Sequence, residues 1–301
     1  VTGLLSLLAV LALVVAGCGG GGGGGDSKDA RALIDDAFKQ SITSADIALA
    51  IEAKVDGVAQ LQDPVSLKIS GPYQSNGKSK LPSLKWDVSV SGGGQAISGG
   101  ITSTGDNAFV NFQGSDYEVG ADKVGQLNQQ LATQSGQNKT LSDYGINPQD
   151  WVTSPTEEGD ENVNGVDTTH VKAGVDIKKM LTDFNKTIQQ TSGAMGSSAP
   201  QQLTPEQIDK VSQFIKEPKF ELWVGKDDKK IRRMVVDVNF DIPEDQRTQL
   251  QGATGGSFKF SIDFKKVGEQ QSITAPANPK PLSELQQQLG GLGGAMPGLG
   301  G

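Results

Sequence analysis

Few residues in this chain are able to do chemistry. There is one cysteine, Cys18, and one histidine, His170. One thiol excludes an intrachain disulfide and a thiolate zinc site, and one imidazole excludes a multi-histidine metal centre. His170 stands in an alternating stretch and reads as a strand residue facing water. Asp227-Asp228 and Glu157-Glu158 lack the alternating oxygen ligands that calcium takes, so they read as solvated turns. Gly92–Gly94 and Gly252–Gly256 are followed by no Lys-Ser/Thr and read as turns, not phosphate loops. No serine stands in a G-x-S-x-G context, and no two carboxylates share a defined site. Trp86, Trp151 and Trp223 read as core or cavity wall. The residues point to a protein that is not an enzyme and uses no cofactor or metal. With 27 basic against 35 acidic residues and a net charge of −8, a basic patch for nucleic acid is not expected.

The position of Cys18 is the most informative feature. Leu4 to Val15 is almost wholly apolar, about the length of a signal-peptide core and short for the roughly 20 residues that span a bilayer. It ends in Val15-Ala16-Gly17-Cys18. Small residues directly before a cysteine resemble the lipobox of bacterial lipoproteins. That resemblance implies that Cys18 receives a diacylglyceryl group through its sulfur, that residues 1–17 are removed, and that Cys18 becomes the N-terminus. A thiol suits the thioether step because it is a good nucleophile near neutral pH. Gly19 to Gly25 would follow as a flexible tether. Two or three acyl chains, at about 0.8 kcal/mol per buried methylene, make a stable membrane anchor. The expected location is therefore outside the cell membrane, held to its outer face.

The remaining elements must position whatever the protein offers there. Residues 29–42 carry Ala30, Leu33, Ile34, Ala37 and Phe38 at helical spacing. The period then changes to two. Ile47, Leu49 and Ile51 share a face, as do Leu67 with Ile69, Trp86 with Val88, and Val110 with Phe112. Ile97 and Ile101 flank two glycines that mark a bulge or a close backbone approach. Residues 121–135 read as a helix. Residues 151–156 and 162–173 read as two strands around a Glu157–Asp160 turn. Asp176 caps a helix carrying Leu181 and Phe184. Thr204-Pro205-Glu206-Gln207 is a capping box with proline at the first helical position; Val211 and Phe214 lie on that helix, which Pro218 ends. Leu222, then Val236, Val238 and Phe240, then Phe260 and Ile262, alternate in the last strands. Residues 278–301 read as a low-complexity disordered tail, with one or two helical turns over 281–289. The expectation is a signal peptide over 1–17, a lipidated cysteine and tether over 18–28, one α+β domain over 29–277, and the tail.

This arrangement resembles the LolA/LolB and LppX/LprG superfamily of lipoprotein carriers and lipid-binding lipoproteins. The resemblance rests on the lipobox cysteine, the glycine tether and a helix before an antiparallel meander. It continues through Glu161-Asn162-Val163-Asn164-Gly165-Val166-Asp167-Thr168-Thr169-His170-Val171, the later helices, the charged hairpin and the closing strand before Ile273-Thr274-Ala275-Pro276. It implies a curved antiparallel β half-barrel with α-helices covering the concave face, and it makes acyl-chain binding between sheet and helices an expected function. It carries over no catalytic residue. The inward residues named above (Ile47, Leu49, Ile51, Leu67, Ile69, Trp86, Val88, Val110, Phe112, Leu181, Phe184, Val211, Phe214, Leu222, Val236, Val238, Phe240, Phe260 and Ile262) would line the cavity.

Two functions remain in competition. In the first, a membrane-anchored lipoprotein shields or carries the acyl chains of a lipid or glycolipid, without catalysis. In the second, a structural or sensory envelope lipoprotein with a filled core acts through contacts with a protein partner.

Overall fold

The computed structural model describes residues 28–58, 63–134, 148–183, 185–186, 202–248 and 250–290. Cys18, the apolar run before it, and Phe184 lie outside them.

Helix α1 (Lys28–Lys39) opens the described chain with Ala30, Ile34 and Ala37 buried along one stripe. Asp29 in its first turn and Lys39 in its last suit the helix dipole. A meander follows: β1 (Ser44–Asp56), β2 (Val65–Gln74), β3 (Ser83–Gly92), β4 (Gln95–Thr104), β5 (Ala108–Phe112) and β6 (Ser115–Glu118). Helices α2 (Ala121–Gln134) and α3 (Pro148–Trp151) lead to the hairpin of β7 (Val152–Val163) and β8 (Val166–Val175). Helix α4 covers residues 177–183, with the Asp176 side chain accepting from the Lys179 backbone N–H as its cap. Then come α5 (Pro205–Phe214), β9 (Ile215–Gly225), β10 (Ile231–Asp241), α6 (Glu244–Arg247), β11 (Gly255–Lys265), β12 (Lys280–Pro281) and α7 (Leu282–Gly290).

These strands form one 12-stranded sheet, in the order β12-β6-β5-β4-β3-β2-β1-β11-β10-β9-β8-β7. It is not closed on itself. Every pairing is antiparallel except the short parallel pair of β12 with β6. The centre is β1 against β11, in unbroken register from Asp46↔Lys265 to Asp56↔Gly255, which joins the N-terminal meander to the C-terminal strands. The architecture is the curved α+β half-barrel that the sequence implied.

Local chemistry explains where the structure departs from the sequence reading and where it decides between its alternatives. Strand β7 runs through the Glu157–Asp160 segment, and the hairpin turns instead at Asn164-Gly165. Both of those residues have positive φ, 54° and 85°, as the tight two-residue hairpin turn demands, and Asn-Gly is the pair that adopts it most readily. Pro218 does not end α5. The helix stops at Phe214, and Pro218 lies inside β9 beside Glu217 at φ 40°, where the register to β10 shifts by a bulge that tolerates the missing N–H. Gly99 and Gly100 mark no bulge, because the β3–β4–β5 register is regular there. A Cβ on Gly99 would stand 2.7 Å from the Asn111 carbonyl, so glycine is required by close approach. Finally, the helical turns expected over 281–289 form as α7, and residues 280–290 are held on the sheet and not free as a tail. Lys280–Pro281 adds to β6, and Leu282 and Leu285 of α7 are buried on Tyr117, beside Val110, Phe112 and Val119.

Candidate functional site

The register gathers the apolar positions into rows that run across the sheet on one face. One row reads Val171, Leu222, Met234, Ile262, Leu49, Ile69, Val88, Gly99, Phe112 from β8 to β5. The next reads Ala173, Phe220, Val236, Phe260, Ile51, Leu67, Val90, Ile97 from β8 to β4. Beyond Gly71, Ile101 faces Trp86 on one side and Val110 on the other.

Cover is unequal along these rows. Helix α1 lays Ala30, Ile34 and Ala37 on the face of β1 and β8 to β11, where Ile47, Leu49, Ile51, Leu222, Phe260 and Ile262 are buried together with Val171, Phe220 and Met234. Arg31 fixes that cover by donating to the Gln149 carbonyl at 2.8 Å and the Val152 carbonyl at 2.6 Å. Leu67, Ile69, Trp86 and Val236 are half-buried at the margin of this core. Past them the same face opens. Val90 is 44% exposed, Ile97 63% and Ile101 45%. Val110 and Phe112 then pack against the small cluster beneath α7.

The other expected residues are spread out. Val238 is buried beside Phe258 of β11, whereas Phe240 packs on a separate cluster of Val58, Ile242 and Ala253. Leu181, Val211 and Phe214 are half-buried on α4 and α5. Helix α5 keeps the capping box, with the Gln207 N–H donating to Thr204 Oγ1 at 3.2 Å and the Thr204 N–H to Gln207 Oε1 at 2.8 Å. In α2, Val124 is buried while Leu127 points outward, 45% exposed. Two cavities lie on more polar ground. One of about 410 Å³ is lined by Ser154, Thr156, Lys172, Lys219, Glu221 and neighbours. One of about 330 Å³ includes Lys68, Asp87, Asn111 and Val88. No described helix is long and apolar enough to cross a membrane.

The opposite face carries a polar cluster that sequence reasoning missed. His170 is buried, not water-facing, and Trp223 is no cavity wall: the two rings stack at 4.1 Å with 9° between their planes. His170 Nδ1 lies 2.9 Å from Glu161 Oε1, and Nε2 lies 2.9 Å from Glu221 Oε2. Trp223 Nε1 donates to Glu161 Oε2 at 2.8 Å, and this bond is the main cause that holds the Glu161 carboxyl below its ordinary pKa. Arg233 sits 5.5 Å over the Trp223 ring and pairs with Asp263 at 2.7 Å. The cluster thus stitches β7 to β11 across the face away from the apolar rows. Its only local signal was the alternation of Glu221 and Trp223 with Phe220 and Leu222. In the β9–β10 hairpin, burial works to raise the Asp228 pKa, but the Arg232 hydrogen bond and charge and the Lys230 N–H together lower it. On the apolar face, burial pushes the Tyr73 phenol up, partly offset by its hydrogen bond with Ser75.

No family model matches the chain, and no curated protein matches it. Among solved structures it is similar to LprF from Mycobacterium bovis, at 13% identity over 85% of this chain and 100% of that one, with a TM-score of 0.42. It is also similar to the lipoprotein LppX of Mycobacterium tuberculosis, at 13% identity over 83% and 100%, with a TM-score of 0.39. A LolA superfamily protein from Nitrosomonas europaea is similar at 9% identity over 80% and 95%, with a TM-score of 0.20.

Proposed function

We propose that this protein is an exported lipoprotein, tethered through diacylglyceryl-Cys18 to the outer face of the cell membrane, that holds the acyl chains of a lipid or glycolipid without catalysis. The observation that carries this reading is the continuation of the apolar rows beyond their helical cover. The chain keeps Val90, Ile97 and Ile101 in line with the buried Ile51 and Ile47, where a sheet face turned to water would carry polar residues. Four strands, β2 to β5, give this floor a width of about 14 Å at the usual strand spacing of about 4.8 Å. Each square ångström of hydrocarbon laid on it contributes about 25 cal/mol.

The test is native mass spectrometry on the chain with Cys18→Ser, which removes the anchor and leaves the domain. Bound lipid is expected to accompany the protein, and Ile97→Asp with Val90→Asp should strip it while the circular dichroism spectrum is kept. A protein that is always lipid-free defeats the reading and favours docking of a protein partner on the same face. In the unsubstituted chain, label from palmitate should be incorporated at Cys18 as the ester-linked acyl chains of the diacylglyceryl group that its sulfur carries.

A further inference from the structure

The three tryptophans differ in what their ring nitrogens do. Trp151 Nε1 donates to Asp183 Oδ2 at 2.9 Å, and Trp223 Nε1 donates to Glu161 Oε2 at 2.8 Å. Trp86 Nε1 is buried and has no hydrogen-bond partner among the described residues. A buried N–H without an acceptor is rare, because it has given up water and gained nothing in return. Its surroundings tell what acceptor suits it. The Trp86 side chain packs at the margin of the main core, on the apolar face, directly across from Ile101 where that face opens to solvent. Lys68 and Lys85, basic residues of β2 and β3, fall on the opposite face by the two-residue period of the strands. No cation of these two strands therefore accompanies the indole, which argues against a phosphate or carboxylate group there. The acceptor that fits is an uncharged oxygen already attached to hydrocarbon.

We infer that Trp86 Nε1 donates to the carbonyl oxygen of an acyl ester lying on the open half of the sheet, and so sets the register of the ligand. This rests on the acyl-binding reading and narrows it: the ligand is an ester of a fatty acid, not a bare hydrocarbon or an ether lipid. The chain supplies the hydrophobic contact with Leu67, Val88, Val90 and Ile97. The ester oxygen reaches the indole as the ligand displaces the side chains that cover the ring nitrogen.

The experiment compares 1-monopalmitoylglycerol with its ether counterpart 1-O-hexadecylglycerol, below their micellar concentrations, on the full chain carrying Cys18→Ser. The ester is expected to bind about five-fold tighter than the ether, the difference made by one neutral hydrogen bond. Trp86→Phe should bring the ester down to the affinity of the ether and leave the ether unchanged, which also serves as the check on folding. In the parent chain labelled with nitrogen-15, the indole resonance of Trp86 should move downfield with the ester and not with the ether, while those of Trp151 and Trp223 stay in place. Equal affinities for the two ligands in the parent chain, or a Trp86 resonance indifferent to the ester, overturn the assignment and leave acyl binding intact. Failure of both ligands to bind defeats acyl binding itself and the assignment with it.

Discussion

The sheet has two halves made by one rule of alternation, and they end differently. From β8 through β11 to β1 the inward residues meet Ala30, Ile34 and Ala37 of α1 and close into a core. From β2 to β4 the same row continues through Leu67, Val90 and Ile97, and the last two stand exposed. The opposite face differs as well. On the covered side it is stitched by Glu161, His170, Trp223, Arg233 and Asp263, and on the open side it carries exposed lysines and serines such as Lys68 and Ser98. One half is built for stability and the other presents a surface. Identical patterning thus yields a core or an open apolar face according to what lies over it.

The largest effect expected from this contrast is a pair of truncations. Leu222→Ala, in the closed half, should cost about 2–5 kcal/mol, because a buried leucine loses both its transfer energy and its packing. Ile97→Ala, in the open half, should stay within about 0.5 kcal/mol. Urea midpoints measure both, and equal losses would erase the distinction between the halves. A smaller effect is expected at the far margin of the open half, where α7 rests on two leucines and the hydrogen bond from Tyr117 Oη to Gln288 Oε1 at 3.2 Å. Leu285→Ala should release α7 locally, speeding amide exchange over residues 282–290 by about 30-fold, while the global midpoint hardly moves. A global loss as large as that of Leu222→Ala would make α7 part of the core. The smallest effect is that of acid. Glu161 and Asp228 have folded pKa values below their ordinary 4.5 and 3.8, so the stability they add is complete above those values and is lost as pH falls through the lowered ones. Both groups belong to the closed half. Acid below about pH 4.5 should therefore loosen amides of β7 to β10 before those of β2 to β5, and the reverse order in hydrogen exchange would count against the stitching.

Much of the fold was legible because β1, β10 and β11 carry apolar residues on every second position, and a sheet with one apolar face requires helices. The capping box of α5 was equally plain, since its chemistry is local. The middle of strand β7 was hidden. Among its residues only Val152, Pro155 and Val163 are buried, so its acidic middle looked like a turn. The His170 cluster was out of reach for a different reason: it joins residues of β7, β8 and β9, and their neighbourhood exists only once the register is known. The candidate site was half legible. Alternation named its residues, but which of them lie under α1 and which lie open depends on how far one helix extends.

The two-residue parallel strand Lys280–Pro281 has a consequence of its own. It occupies the outer side of β6, whose N–H and C=O groups would otherwise stand ready to pair with another molecule. The far border, β7, is broken by Pro155 and register shifts and lined with carboxylates, and so repels a second chain. A molecule cut short before Lys280 would keep one guarded border and bare the other, giving it a single sticky side by which copies would join in pairs and not in endless stacks.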